Sequence, residues 1–304
     1  MGQNIISGIA AVALLLGAFS PVQTAYADSQ TDGVARAEEA ANRVNLAGRQ
    51  RMLLQAMAKA ACFISVESNA PAQQAALEAA SEKFALTHEA LRFGNAGMGL
   101  SAEPDPDLLE AIAVVGQNWS TYSALIDSAL RNGYVSRPAM ERIDEIGLVA
   151  LANMNRAVNR IANTYGDLLP EMPLLLSLTI DLSGRQRMFT QRAAKEFCLI
   201  AAGIDTEANR ENLGKTVQLF TLTLDALIRG MPGMVMAAPN EEIRQKLLDV
   251  KALWEQSSPI LLAAAAGAEI TGADLETIAR EMDRVMVLMN EAVGMYEGAI
   301  PEQN

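Results

Sequence analysis

The pentapeptide Gly48-Arg49-Gln50-Arg51-Met52 occurs a second time as Gly184-Arg185-Gln186-Arg187-Met188, 136 residues downstream. Around it, eleven of the nineteen positions from Leu46 to Ile64 are identical in Leu182 to Ile200, including Gln55/Gln191, Ala58/Ala194, Lys59/Lys195 and Cys62/Cys198. The same offset carries Phe84-Ala85-Leu86-Thr87 onto Phe220-Thr221-Leu222-Thr223, Ala90-Leu91 onto Ala226-Leu227, and Gly94 onto Gly230. After a one-residue slip, Trp119 falls on Trp254 and Met154-Asn155 on Met289-Asn290. The chain is therefore a tandem duplication, and whatever it folds into, it folds into twice.

Strand signals are scarce, helix formers dominate and aromatic residues are only 5% of the chain, which reads as all-α. Strong turn punctuation at Asn69-Ala70-Pro71, Gly94 to Pro106 and Asn132-Gly133 predicts helices over about Asp32–Val66, Pro71–Phe93, Asp105–Arg131 and Ser136–Tyr165. The second copy predicts the same plan over about Leu174–Ala202, Thr206–Arg229, Asn240–Ala266 and Thr271–Glu297. Each copy is expected to be an antiparallel four-helix bundle. The connection from Gly166 to Pro173 is short and holds two prolines, so it is no long flexible tether. Four antiparallel helices return the chain to the end where it began. The expected fold is thus all-α, two tandem antiparallel four-helix bundles packed as a pseudo-two-fold dimer, with bundle domains at 28–168 and 169–304.

Residues 1–27 read as a signal peptide: an apolar run from Ile5 to Phe19, then Pro21 and the small-residue site Ala25-Tyr26-Ala27 before Asp28. No Lys or Arg precedes the run, and an uncleaved anchor is the lesser alternative because the run is short for a bilayer. The expected location is the periplasm. A net charge of −12, with 24 scattered basic residues against 36 acidic ones, makes nucleic acid an improbable partner. The single histidine, His88, rules out histidine metal clusters and argues against a Ser/His/Asp triad. No nucleophile, acid–base pair or metal cluster appears in both copies, so neither an enzyme nor a cofactor is expected.

Three weaker signals have structural readings. His88-Glu89-Ala90-Leu91-Arg92 is faintly like a phosphotransfer helix, yet its counterpart in the second copy is Leu224. Gly94-Asn95-Ala96-Gly97-Met98-Gly99 has neither the preceding strand nor the Lys-Ser/Thr ending of a phosphate loop and reads as a turn between helices. Met231, Met234 and Met236 have thioethers suited to Cu(I), but methionines recur at Met282, Met286 and Met289 with helical spacing, which favours core filling.

On the first helix, Gly48, Arg51, Gln55, Ala58 and Cys62 fall at steps of three and four, a heptad seam repeated as Gly184, Arg187, Gln191, Ala194 and Cys198. Leu46, Leu53, Met57 and Ile64 form a separate apolar stripe that can supply the bundle core. If the two seams meet, Arg51 faces Arg187. Two guanidinium groups about 7 Å apart repel by roughly 2 kcal/mol at an effective dielectric near 20. A small planar oxyanion would satisfy both, since arginine presents forked planar donors and cannot lose its proton. The candidate ligand-binding residues are therefore Arg51 and Arg187 with Gly48, Gly184, Gln55 and Gln191. The competing arrangement pairs each arginine with a carboxylate on a neighbouring helix or points it at solvent. Arg49/Arg185 and Lys59/Lys195 lie off the seam, where long basic side chains usually cover apolar surface. Cys62 and Cys198, about 16 Å along the helix from the arginines, are either a disulfide locking the bundles together or two buried thiols at a close contact.

Asn45-Leu46-Ala47-Gly48-Arg49-Gln50-Arg51-Met52, followed by Gln55 and Lys59, resembles the signature of the PilJ-type domain, the N-terminal domain of type IV pilus methyl-accepting chemotaxis transducers. It is also similar to the periplasmic box of the NarX and NarQ nitrate/nitrite sensor kinases. The resemblance implies a periplasmic four-helix sensor bundle in which the box arginine binds nitrate at a two-fold interface. By position, Arg51 and Arg187 correspond to that arginine and Gly48 and Gly184 to the box glycine. The second copy departs from the first with Asp181 for Asn45 and Ser183 for Ala47. No HAMP, kinase or methyl-accepting segment is expected after the bundles, so signalling would pass through a membrane-bound sensor or chemoreceptor. The implied function is a sensory module binding nitrate or nitrite between the first helices of the two repeats. The alternative is a helical interaction module for a membrane receptor or pilus-related system, with no small ligand.

Overall fold

The computed structural model describes residues 21–166 and 174–298. The expected apolar run Ile5–Phe19 and most of the inter-repeat connection lie outside these residues. Within them the chain is all-α, with eight α-helices and no strands: α1 (Pro21–Ser65), α2 (Ala70–Phe93), α3 (Pro106–Asn132), α4 (Arg137–Gly166), α5 (Leu174–Ala201), α6 (Thr206–Arg229), α7 (Glu241–Ala265) and α8 (Gly272–Gly298). Helix ends agree with the sequence expectation to within about two residues, except that α1 is already helical at Pro21, the first described residue, whereas the sequence predicts a start near Asp32. It thus runs through the small-residue site at 25–27. No glycine, internal proline or other stop separates Pro21 from Asp32, so nothing in the sequence ends the helix there. No helix among the described residues is long and apolar enough to cross a membrane.

The breaks have local causes. Asp105 caps α3 by accepting from the backbone N–H groups of Asp107 and Leu108, and Pro106 occupies the first turn, where no N–H is needed. Asn240 caps α7 through the N–H of Ile243 at 2.9 Å. Gly94, which ends α2, has φ +79, and a Cβ there would lie 2.6 Å from the Ala102 nitrogen, so only glycine fits. Gly230 ends α6 with the same φ, +79.

Helices α1–α4 form one bundle and α5–α8 the other, joined by a long contact between α1 and α5. Both helices are central. Residues 50–64 of α1 are buried on every side except Ala56, and residues 186–200 of α5 except Arg192, the position equivalent to Ala56. A helix covered all round has neighbours on all faces: α1 packs on α2, α4 and α5, and α5 on α6, α8 and α1. The duplication extends to side-chain packing. Phe84 packs at a tilt against Trp119 with ring centroids 4.3 Å apart, and Phe220 against Trp254 at 4.0 Å. In each bundle a buried glutamine of the repeated pentapeptide donates to the α2-type helix, Gln50 to the Phe84 carbonyl and Gln186 to the Phe220 carbonyl.

Candidate ligand site at the interface of the repeats

Three cross-interface contacts fix the relation of α1 to α5. Cys62 and Cys198 form a disulfide, with their Cα atoms 6.1 Å apart at a sequence separation of 136. Arg51 donates from Nη2 to Asp181 Oδ1 at 3.2 Å, a separation of 130 residues. Arg187 donates from Nη2 to Asn45 Oδ1 at 3.2 Å, a separation of 142. The last two values lie six on either side of the repeat offset, which is the pattern of two parallel helices related by a local two-fold axis. Helical side chains tilt toward the N-terminus, so each guanidinium reaches back toward a position six residues earlier, about 9 Å along the axis, on the opposite helix.

Both arginines are buried, Arg51 at 5% exposure and Arg187 at 2%. Each is held over its own seam glycine: Arg51 Nε donates to the Gly48 carbonyl at 3.5 Å and Arg187 Nε to the Gly184 carbonyl at 3.4 Å. A Cβ at Gly48 would meet only Arg51 Nη2, at 3.6 Å, and one at Gly184 only Arg187 Nη2, at 3.4 Å. Neither glycine is therefore required by a close approach of the two helix axes. At each glycine the nearest neighbour of a missing Cβ is the guanidinium of the same helix. Gln55 and Gln191 are also buried; Gln191 Nε2 donates weakly to Asp283 at 3.4 Å, whereas Gln55 Oε1 has no hydrogen-bond partner among the described residues.

The two halves of the site differ. Asp181 receives Arg51 on one oxygen and Arg185 Nε, at 2.8 Å, on the other. Burial draws the Arg51 pKa below its ordinary value, the Asp181 charge opposes this, and the Arg185 charge adds to it. In the other half the equivalent of Asp181 is the neutral Asn45, and Arg187 also donates from Nη1 to Asn290 Oδ1 of α8 at 3.1 Å. So for Arg51 the structure realises the carboxylate pairing that the sequence left as the competing arrangement.

Lys59 and Lys195, read from the sequence as covering apolar surface, are instead buried and cross the interface in both directions. Lys59 on α1 pairs with Asp283 on α8, and Lys195 on α5 with Asp144 on α4 at 2.6 Å. Burial lowers the Lys59 pKa against the pull of Asp283. Their identity in both copies was the available signal. Met231 and Met234, read as core filling, are 41% and 61% exposed in the turn after α6, while Met282 and Met289 are fully buried. Helical spacing on α8 does not extend to a loop. Among the described residues, no group of three or more His, Cys, Asp or Glu side chains is placed to hold a metal ion. An open cleft of about 420 Å³ between α6 and α7, lined by Asp225, Arg229, Arg244 and Lys251, involves no residue of α1 or α5.

The family model described as "Type IV pili methyl-accepting chemotaxis transducer N-term" (PilJ) matches residues 34–139 and again 176–280. The two matches span both central helices and the two helices after each. No curated protein matches the chain. The chain belongs to this family of chemotaxis-transducer sensor domains and carries two tandem copies of the domain.

Proposed function

We propose that this tandem pair of transducer N-terminal domains is an extracytoplasmic sensory module that binds a small planar oxyanion, nitrate or nitrite, between α1 and α5. The observation that carries the reading is the pair of buried arginines, Arg51 and Arg187. They are equivalent in the repeat, sit on the face the two repeats share, and each spans from its own helix to the other. In a chain of net charge −12, the GRQR strings bring four arginines to this one level of two parallel helices. An oxyanion held by both guanidiniums would couple occupancy to the α1–α5 contact, and through Arg187 and Asn290 to α8. The disulfide is consistent with an oxidising compartment outside the cytoplasm. In this reading the leader at 1–27 delivers the chain to the periplasm and a membrane-bound chemoreceptor reads its state.

A second reading, an interaction module without a small ligand, draws support from the Arg51–Asp181 pair, since one arginine already has a carboxylate. The two separate in thermal unfolding across nitrate, nitrite, chloride and sulfate at constant ionic strength. A ligand of the folded state at about 100 times its dissociation constant stabilises by roughly 2.7 kcal/mol. A selective rise with nitrate or nitrite, lost in Arg51→Ala and in Arg187→Ala, is expected. Equal response to every anion would favour the interaction module.

A further inference from the structure

We propose that Asp181 is a built-in competitor for the ligand, a tethered carboxylate that occupies Arg51 until an external oxyanion displaces it; this inference rests on the oxyanion reading of the same site. A carboxylate and nitrate offer arginine the same planar pair of acceptor oxygens. Asp181 presents one of its oxygens to Arg51 across the interface at 3.2 Å. Its side chain is 41% exposed while that of Arg51 is 6% exposed, so the carboxylate stands on the water side of a buried guanidinium. An anion arriving from solvent meets Asp181 first.

The second contact of Asp181 gives the carboxylate somewhere to go. Its other oxygen accepts from Arg185 Nε at 2.8 Å, one turn along its own helix, and Arg185 is itself exposed. When an oxyanion takes the Arg51 contact, Asp181 keeps its Arg185 pair, and its charge remains matched outside the interface. The exchange makes and breaks hydrogen bonds only and leaves the local charge count higher by one anion. Because Asp181 is attached to the helix, it competes at a fixed high effective concentration and sets a threshold that free anion must exceed. At the position equivalent to Asp181 the first repeat has the neutral Asn45, which accepts from Arg187. The repeats therefore differ by one carboxylate at this position, and Asp181 tunes the affinity at Arg51 downward.

Calorimetric titration of the protein with sodium nitrate against a sodium chloride background tests this, with folding of every variant checked by circular dichroism. In Asp181→Asn the nitrate dissociation constant should fall about tenfold, the size of an ion pair worth 1.4 kcal/mol. Formate, a free carboxylate, should bind Asp181→Asn more tightly than the unmodified protein. Asp181→Glu, which retains a carboxylate, should stay near the unmodified affinity, and Asn45→Asp should weaken nitrate binding. Nitrate binding that disappears in Arg51→Ala yet is unchanged in Asp181→Asn would overturn the competitor role and leave the oxyanion site standing. No nitrate binding in either the unmodified protein or folded Asp181→Asn would overturn the oxyanion site itself.

Discussion

The two repeats share a backbone plan but hold it by different means, and the places where they agree differ in kind from the places where they part. At the C-terminal ends of α1 and α5 the copies are interchangeable: the cysteines join each other, and each buried lysine reaches a carboxylate on the last helix of the other bundle. Toward the N-terminal ends they diverge. The first repeat buries Arg43 among Glu103 at 3.0 Å, the Leu91 and Ser101 carbonyls and the Tyr165 ring, tying α1 to the turn after α2 and to the end of α4. The Tyr165 hydroxyl donates to Glu103, and burial together with that bond pushes its pKa up to about 12. In the second repeat Thr179 replaces Arg43 and accepts the Met236 N–H in the equivalent turn at 2.9 Å. His88, buried in the first repeat with neither ring nitrogen hydrogen-bonded among the described residues, is Leu224 in the second. The shared end is a frame common to both copies; the divergent end, with Asn45 against Asp181, is where each copy has its own chemistry.

The shared frame should give the largest effect. Replacing Cys62 and Cys198 together by Ser removes a cross-link closing 136 residues, worth up to about 5 kcal/mol in the chain-entropy account. Urea unfolding with and without reductant should show this loss in the bridged protein and none in the double variant. A loss confined to one bundle would break the view that the bridge serves both.

The divergent end should respond unequally. Arg43→Ala leaves the fully buried Glu103 without its cation and should cost about 3–5 kcal/mol, whereas Thr179→Ala gives up a neutral hydrogen bond worth about 1 kcal/mol. Similar losses at the two positions would contradict the comparison.

His88 sharpens it through pH. Burial and the nearby Arg92 charge lower its pKa from the usual 6.5 to about 4, so the folded first bundle favours the neutral ring. Between these values the unfolded chain binds the proton and the folded one does not. Stability from this group is complete above pH about 6.5 and declines as pH falls toward 4, by about 2–3 kcal/mol in all. Denaturant unfolding of His88→Leu, which copies the second repeat, should lack that component; an unchanged pH dependence would assign it elsewhere.

Much of this was legible in the sequence. Proline and glycine punctuation placed every helix end but the first, and the duplication singled out the seam, because identity at both copies marks positions that the shared interface constrains. The lysines were misread because a single seam presumes one partner for the helix, while α1 and α5 are central and their other faces are interfaces too. Their acids were hidden for a different reason. In the one-residue-slipped repeat Asp283 falls on Leu148 and Asp144 on Ala279, so the pairings are symmetric in space but not in sequence. Arg43 carries no repeat signal, because Thr179 stands at the equivalent position of the second copy. The partner of Arg51 was visible only as a departure, Asp181 for Asn45, whose consequence needed the parallel register of the two helices.

The most direct measurement on the central claim is the arginine Nε–Hε NMR spectrum of the protein during a nitrate titration, with Arg51→Lys and Arg187→Lys to assign the two signals. The account predicts that both resonances move and saturate together, while that of the exposed Arg137 does not move. Movement no greater than an equal concentration of chloride produces would show that the paired arginines hold the repeats together without holding an oxyanion.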